Sequence, residues 1–262
     1  MWPIIWGKFT KFYKVCRFST MKLWQKFLNL LLPPRCIACG KILSEKNGLC
    51  PECFNSINFI SAPYCHRCGR PFVKENNLKF AAKQCCGACL QKKKHLFEMQ
   101  RKAFIYDDFS KKLILDLKFH DKTVSAETLA GMLYAAGKDI WEQKPDLIIP
   151  VPIHHLRLIK RRFNQSALLV KYLARRSGVA ADYSSLQRCR NTVPQVSLSG
   201  AKRRKNLHDA FAVKYPQNIK GRKVVLIDDV ETTGSTLNEC AKVLRKAGAK
   251  EIYSITLAGT QE

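Results

Sequence analysis

Between Cys36 and Cys89 the chain spells C-I-A-C-G, C-P-E-C, C-H-R-C-G and C-G-A-C. Each of two successive units opens with C-x-x-C-G and closes with a second C-x-x-C, so the stretch is an internal repeat with a longer insertion in its second copy. Four thiolates on two tight turns close a tetrahedral site, and such units fold around a metal rather than around an apolar core. The spacing assigns one site to Cys36, Cys39, Cys50 and Cys53 and the other to Cys65, Cys68, Cys86 and Cys89. Tetrahedral sulfur suits iron as well as zinc; zinc is favoured because nothing else in the chain suggests electron transfer. Each ion would supply folding energy on the order of 10 kcal/mol. Gly40 and Gly69 let the chain turn sharply behind each first pair. Cys85 is a neighbouring candidate for the place of Cys86, but the C-G-A-C spacing favours Cys86. His66, inside a knuckle, reads as a surface residue, and Cys16, Cys189 and Cys240 have no partner at metal spacing.

Twelve cysteines in a chain of 262 residues, arranged as C-x-x-C pairs, point to metal in a reducing compartment rather than to a secreted disulfide scaffold. A cytoplasmic location is expected. A hydrophobic fraction of 46% and this length allow one or two domains with a sizeable core. The excess of Lys+Arg 46 over Asp+Glu 20, a net charge of +26, sets up a field that draws polyanions, nucleic acid first among them. Up to Leu90 the only acids are Glu45, Glu52 and Glu75. Tyr64, Phe72 and Phe80 among these cations serve equally as stacking platforms for unpaired bases or as the ribbons' minimal core. Residues 1–20 are basic, aromatic and free of acids, which suits a membrane-surface or targeting segment. Lysines interrupt each candidate apolar core there, and no stretch of the chain is long enough to span a bilayer. Met21 offers a second start, and Leu23 to Leu32 reads as a short helix ended by Pro33 and Pro34.

The stretch V-V-L-I-D-D-V-E-T-T-G-S-T, Val224 to Thr236, changes character halfway. Its apolar run predicts a strand of a parallel sheet covered on both faces. A helix is predicted over Leu237 to Ala247, with Gly248 at its C-terminal end. Asp228 and Asp229 would then emerge at the carboxyl edge of the sheet, where open α/β folds bind ligands. Thr232, Thr233, Gly234, Ser235 and Thr236 can offer amides and hydroxyls to an anion at the helix N-terminus. Carboxylates repel phosphate, but they accept hydrogen bonds from hydroxyls and can hold a divalent cation. The combination fits a sugar phosphate. Upstream, R-K-A-F-I-Y-D-D-F-S-K-K-L-I-L-D-L-K-F-H-D-K reads as strand, turn and helix. A-E-T-L-A-G-M-L-Y-A-A-G-K-D-I-W reads as a second helix and D-L-I-I-P-V-P as a buried strand.

The motif around Asp228 and Asp229 resembles the phosphoribosyl-pyrophosphate (PRPP) binding motif of type I phosphoribosyltransferases. The stretches V-P-I-H-H-L-R-L-I-K-R-R-F-N-Q-S-A-L-L-V and R-C-R-N-T-V-P-Q-V-S-L-S-G-A-K-R-R-K-N-L-H-D-A-F-A-V, with the Cys-rich region, resemble the ComF family of competence-associated proteins over nearly the whole chain after Met21. The resemblance implies an α/β fold, a type I phosphoribosyltransferase-like parallel sheet with helices on both faces, preceded by a small double zinc ribbon. The expected division is residues 1–34 as an extension and short helix, 35–95 as the ribbons and 96–262 as the transferase-like domain. By the same resemblance Asp228 and Asp229, at the catalytic centre, hold the ribose hydroxyls, and residues 232–236 bind the 5′-phosphate. Val151 to His154, including Pro152, Ile153 and His154, cradle the pyrophosphate, with Arg157, Arg161 and Arg162 close behind. Relatives carry glycine where Arg162 stands, a departure that would weaken or reshape that loop. Arg188, Arg190, Gln195, Arg203 and Asn206 fall in a loop resembling the lid that closes over PRPP. Purine-using relatives have an acid where Thr232 stands; Glu231 is adjacent, with its side chain expected to point elsewhere. Binding of Mg²⁺-PRPP, contact with single-stranded DNA and with DNA-uptake machinery, and a role in natural transformation are what the resemblance and the charge together imply. Nucleobase salvage is the alternative.

Overall fold

The computed structural model describes residues 33–44, 48–72, 83–92, 94–119, 123–154, 163–190 and 209–260. Residues 1–20, the helix expected at Leu23 to Leu32, and Phe80, Arg157, Arg161, Arg162, Gln195, Arg203 and Asn206 lie outside them. The chain divides into two compact units between Cys53 and Phe54. In the first, Cys36 N–H donates to Lys41 O at 2.8 Å and Gly40 N–H to Cys36 O at 2.9 Å, which closes a tight knuckle. Gly40 has φ +79, the left-handed conformation that its lack of a Cβ permits.

In the second unit the same knuckle recurs: Cys65 N–H donates to Arg70 O at 2.8 Å and Gly69 N–H to Cys65 O at 2.9 Å. Here the knuckle is built onto a sheet. Strand β1, Met99–Ile105, is followed by helices α1, Asp108–Phe119, and α2, Thr123–Ala136, and by strand β2, Leu147–Pro150. Helix α3, Gln165–Ser177, leads to the short strands β3, Ala180–Ala181, and β4, Leu186–Arg188. Strand β5, Phe211–Val213, precedes β6, Lys223–Glu231; helix α4, Ser235–Lys246, and β7, Glu251–Gly259, complete the unit. Five strands form one sheet in the order β1-β7-β6-β2-β3, and each adjacent pair is parallel. β4 and β5 pair antiparallel in a separate ribbon.

Alternation along the strands feeds two cores. Leu147, Ile149, Val224, Leu226 and Ile252 point to one face, where they meet Leu237, Cys240, Ala241 and Leu244 of α4 together with Leu186 and Phe211. Those four α4 residues recur at helical spacing and form a single apolar stripe. Ile148, Val225, Ile227, Tyr253 and Ile255 have the opposite parity and supply the other face, on which α2 and α3 lie. Full burial of each large aliphatic side chain contributes roughly 1.5–3 kcal/mol. The expected parallel sheet with helices on both faces is present. Helix α4 begins two residues earlier than its apolar pattern suggested, at Ser235, and Gly248 follows it at φ +87.

The second knuckle covers the start of β1's outer edge, and residues 58–60 cover its end. Gln100 N–H donates to Arg67 O at 2.7 Å, and a Cβ on Gly69 (φ +68) would sit 2.5 Å from Gln100 O. Arg101, 3% exposed within β1, donates to Asp139 Oδ2 at 2.9 Å and holds its guanidinium over the Tyr64 ring, 4.9 Å from the centroid. Tyr64 is therefore occupied by packing against the sheet. Among the described residues no helix is long and apolar enough to cross a membrane.

Candidate functional site

β2 stops at Pro150, opposite Ile227, while β6 runs on to Glu231 with β7 as its partner. The step leaves a notch at the carboxyl edge of the sheet, and Asp228 is the first residue of β6 inside it. Residues 151–154 leave β2 on the other side of the notch. Val151 N–H still reaches Ile227 O at 2.9 Å; Pro152 and Ile153 are half-buried and His154 is buried.

Asn164 ties the two sides together. It is the N-cap of α3, its side chain accepts from Ser166 N–H at 3.1 Å, and its Nδ2 donates to Val151 O at 3.1 Å. One residue into the helix turn, Ser166 Oγ donates to Asp228 Oδ1 at 3.0 Å, and Asp229 N–H donates to the same oxygen at 2.9 Å. The carboxylate of Asp228 is thus oriented from α3 and from its own strand. Neither Asn164 nor Ser166 stands out in the sequence alone. The helical cap signal of Asn164 is present there, whereas the Ser166 contact spans 62 positions and leaves no local trace.

The loop Thr232–Thr236 curls over the start of α4. Gly234 is the N-cap at φ +66 and brings no capping side chain; Ser235 N–H reaches Thr233 Oγ1 at 3.5 Å, and the positive end of the helix dipole favours an anion here. Thr233 Oγ1 and Ser235 Oγ lie 2.8 Å apart. Thr260 clips the loop from beyond β7: its N–H donates to Glu231 O at 3.2 Å and its hydroxyl to Thr232 O at 2.9 Å. Glu231 turns under the loop, where its carboxylate meets Lys102 Nζ at 3.4 Å with both side chains nearly buried. Asp228 and the loop line a hollow of about 30 Å³. The notch can therefore offer the oriented Asp228 carboxylate to hydroxyls or a cation, and a helix N-terminus to an anion, a few residues apart.

The cysteines assemble as two sets. Sγ atoms of Cys36, Cys39, Cys50 and Cys53 lie within 4.8 Å of one another, as do those of Cys65, Cys68, Cys86 and Cys89. Cys85 Sγ lies outside the second set, 3.9 Å from Lys83 O, and half-buried His66 is also outside it. In each set one thiol is prepared for the thiolate form. Burial of Cys36 opposes ionisation, but the amides of Cys39, Cys50 and Ala38 outweigh it and lower its pKa to about 6. Cys65 is likewise lowered to about 6, against burial, by the amides of Cys68, Cys86 and Arg67. Cys50 N–H and Cys86 N–H point at these sulfurs at 3.4 and 3.2 Å. Tetrahedral thiolates with amide donors behind them fit a structural zinc ion. Of the lid candidates, Arg188 ends β4 with its guanidinium 5.4 Å from the Phe211 ring centroid, and Arg190 is exposed just before residues 191–208, which lie outside the described ones.

Two family models match the chain: "Double zinc ribbon domain" over residues 27–90 and "Phosphoribosyl transferase domain" over residues 164–262. The two four-cysteine sets fall in the first and are its structural zinc sites. Competence protein F of Haemophilus influenzae is 38% identical over 230 residues, covering 86% of this chain and 96% of that protein. DNA utilization protein YhgH of Escherichia coli (strain K12) is 33% identical over 236 residues, covering 88% of this chain and 99% of that protein. Among solved structures, glutamine PRPP amidotransferase from B. subtilis aligns at a TM-score of 0.35 and 17% identity, over 54% of this chain and 30% of that one.

Proposed function

Because this chain belongs to the ComF family of competence and DNA-utilization proteins, we propose that it binds Mg²⁺-PRPP in the sheet-edge notch, contacts single-stranded DNA and serves DNA uptake. The observation that carries the PRPP reading is the link from Val151 through Asn164 and Ser166 to Asp228. It ties the start of the loop at residues 151–154 to the Asp228 carboxylate. In this reading Asp228 and Asp229 take the ribose 2′- and 3′-hydroxyls, and residues 232–236 take the 5′-phosphate. Pro152, Ile153 and His154 line the pyrophosphate side, to which Arg162 belongs by position in the sequence. A Mg²⁺ ion bound to the diphosphate would offset part of its charge, and the Asp228 and Asp229 carboxylates are the groups that would accept such a cation. The division into ribbons over residues 35–95 and a transferase-like domain over 96–262, and a cytoplasmic setting, are part of the same proposal.

Binding is favoured over turnover by two residues. Thr232 carries a hydroxyl that is no base at neutral pH, and the Glu231 carboxylate is held by Lys102 beneath the loop. If the protein does transfer the ribosyl 5-phosphate group, the bond to pyrophosphate breaks, pyrophosphate leaves and an acceptor takes its place.

Calorimetric titration with Mg²⁺-PRPP tests the site, comparing wild type with Asp228→Asn/Asp229→Asn. Asparagine keeps size and some hydrogen bonding but removes both charges. Loss of one charge-assisted bond, about 1.5–3 kcal/mol, should weaken affinity at least about ten-fold. Equal affinity in the two proteins would sink the assignment. Pyrophosphate release on adding adenine, guanine, hypoxanthine, xanthine, uracil or orotate would move the protein to nucleobase salvage.

A further inference from the structure

Beside the notch, within the second unit, lies a cleft of about 590 Å³ between the second zinc knuckle and the outer face of α4. Its lining is cationic: Arg67, Lys92 and Lys94 come from the ribbon and the segment after it, and Lys242 comes from α4. Glu239 is the single acid among the lining residues, and it is ion-paired with Lys242 at 2.6 Å. Thr233 and Ser235 of the anion loop form part of the same wall. The side of α4 turned to the cleft carries Ser235, Asn238, Glu239 and Lys242, a polar stripe separate from the helix's buried apolar one.

We infer that this cleft seats the backbone of single-stranded DNA, and that the strand passes beside whatever occupies the anion loop. The inference rests on the reading of residues 232–236 as a phosphate loop and refines where DNA binds. Three observations select the occupant. Lys92 and Lys94 are exposed ammonium groups, point charges on flexible stems that follow a chain of phosphates rather than clamp one fixed anion. The surface is concave, as in proteins that track a single strand, whereas a duplex is read by convex elements that enter its grooves. His95 adds a planar ring on which a base can stack, over a floor that includes Phe97.

The shared wall has a consequence with a sign. A phosphate in the loop and a phosphodiester in the cleft are like charges around Thr233 and Ser235. PRPP therefore weakens strand binding, and by linkage the strand weakens PRPP binding by the same factor.

The test uses full-length, zinc-loaded protein and fluorescent oligothymidylate, with binding read by anisotropy over a salt series. Lys92→Glu/Lys94→Glu should lose about ten-fold or more in affinity, and its log–log salt slope should fall by about 0.7 for each phosphate that is no longer neutralised. Lys242→Glu, remote in sequence from the zinc ligands, should weaken binding in the same direction. Lys111→Glu/Lys112→Glu, an equal charge change on exposed positions of α1, should bind nearly as wild type. Saturating Mg²⁺-PRPP should lower wild-type DNA affinity several-fold, and PRPP affinity should survive in the Lys92/Lys94 variant. Equal losses in the cleft and control variants overturn the cleft in favour of diffuse charge. Cleft variants that bind as wild type overturn it outright and leave the DNA-binding reading standing. A mononucleotide that competes as well as the oligomer overturns the strand. Absence of wild-type binding at low salt removes both the reading and the inference.

Discussion

Gly40 and Gly69 occupy equivalent places in their knuckles and both have positive φ, yet their replacement should differ in cost. A Cβ on Gly40 meets nothing within 4 Å, so Gly40→Ala carries the left-handed penalty alone, about 1–2 kcal/mol. At Gly69 the same Cβ would lie 2.5 Å from Gln100 O, a backbone atom that cannot swing away. Thermal denaturation should therefore show a clearly larger loss for Gly69→Ala in the unit that contains β1. Ser166→Ala makes a second residue-level prediction. It removes the hydroxyl that orients Asp228 and should weaken PRPP binding by a few-fold, with zinc content unchanged; unchanged calorimetric affinity would show that Asp228 is oriented without it. The sequence made Asp228, Asp229 and the loop after them readable because their chemistry is contiguous. It could not expose Ser166, whose role exists only once α3 and β6 are packed together. Arg162 is readable only by resemblance, and it lies outside the described residues.

Among the elements, β1 carries an unusual load for a strand at the border of a sheet. Arg101 is buried there against Asp139. Removal of one member of a buried pair typically costs about 3–5 kcal/mol, because the survivor is left charged and desolvated. Asp139 is 32% exposed and Arg101 keeps its bond to Gln100 O, so Asp139→Ala should destabilise by less than that in chemical denaturation, and Arg101→Met/Asp139→Leu should recover much of the loss. The ribbons should also respond differently to the same chemistry. Cys50→Ser should release its zinc and unfold its own knuckle while the α/β melting transition stays in place. Cys86→Ser should release one zinc and also lower that transition, since the second knuckle is hydrogen-bonded to the edge of β1. Indistinguishable melting curves for the two variants would refute the distinction. Periodicity made β1, α1, α2, β2, β6 and α4 legible. β7 is not legible because Ser254 and Thr256, both fully buried, break its apolar run. β4 and β5 are not legible because each is three residues long and its partner lies far along the chain.

For the molecule as a whole, the +26 charge predicts that affinity for single-stranded DNA falls linearly on a log–log plot against salt, with a slope near −0.7 per phosphate neutralised. A flat profile in anisotropy measurements would take nucleic acid out of the picture. The sheet order has a separate consequence in time. β7 stands between β1 and β6, so a ribosome that has made everything before residue 251 has made two fragments with no strand in common. One is β1 with the zinc knuckle on its border; the other is β6 with β2 and β3. Domains generally fold as units during synthesis, and here the keystone emerges last. Zinc uptake by the knuckles can precede it, but closure of the notch cannot. Nascent chains stalled before β7 should bind metal, remain open to protease through the α/β segment, and expose the inner edges of both fragments to whatever chaperone stands at the tunnel.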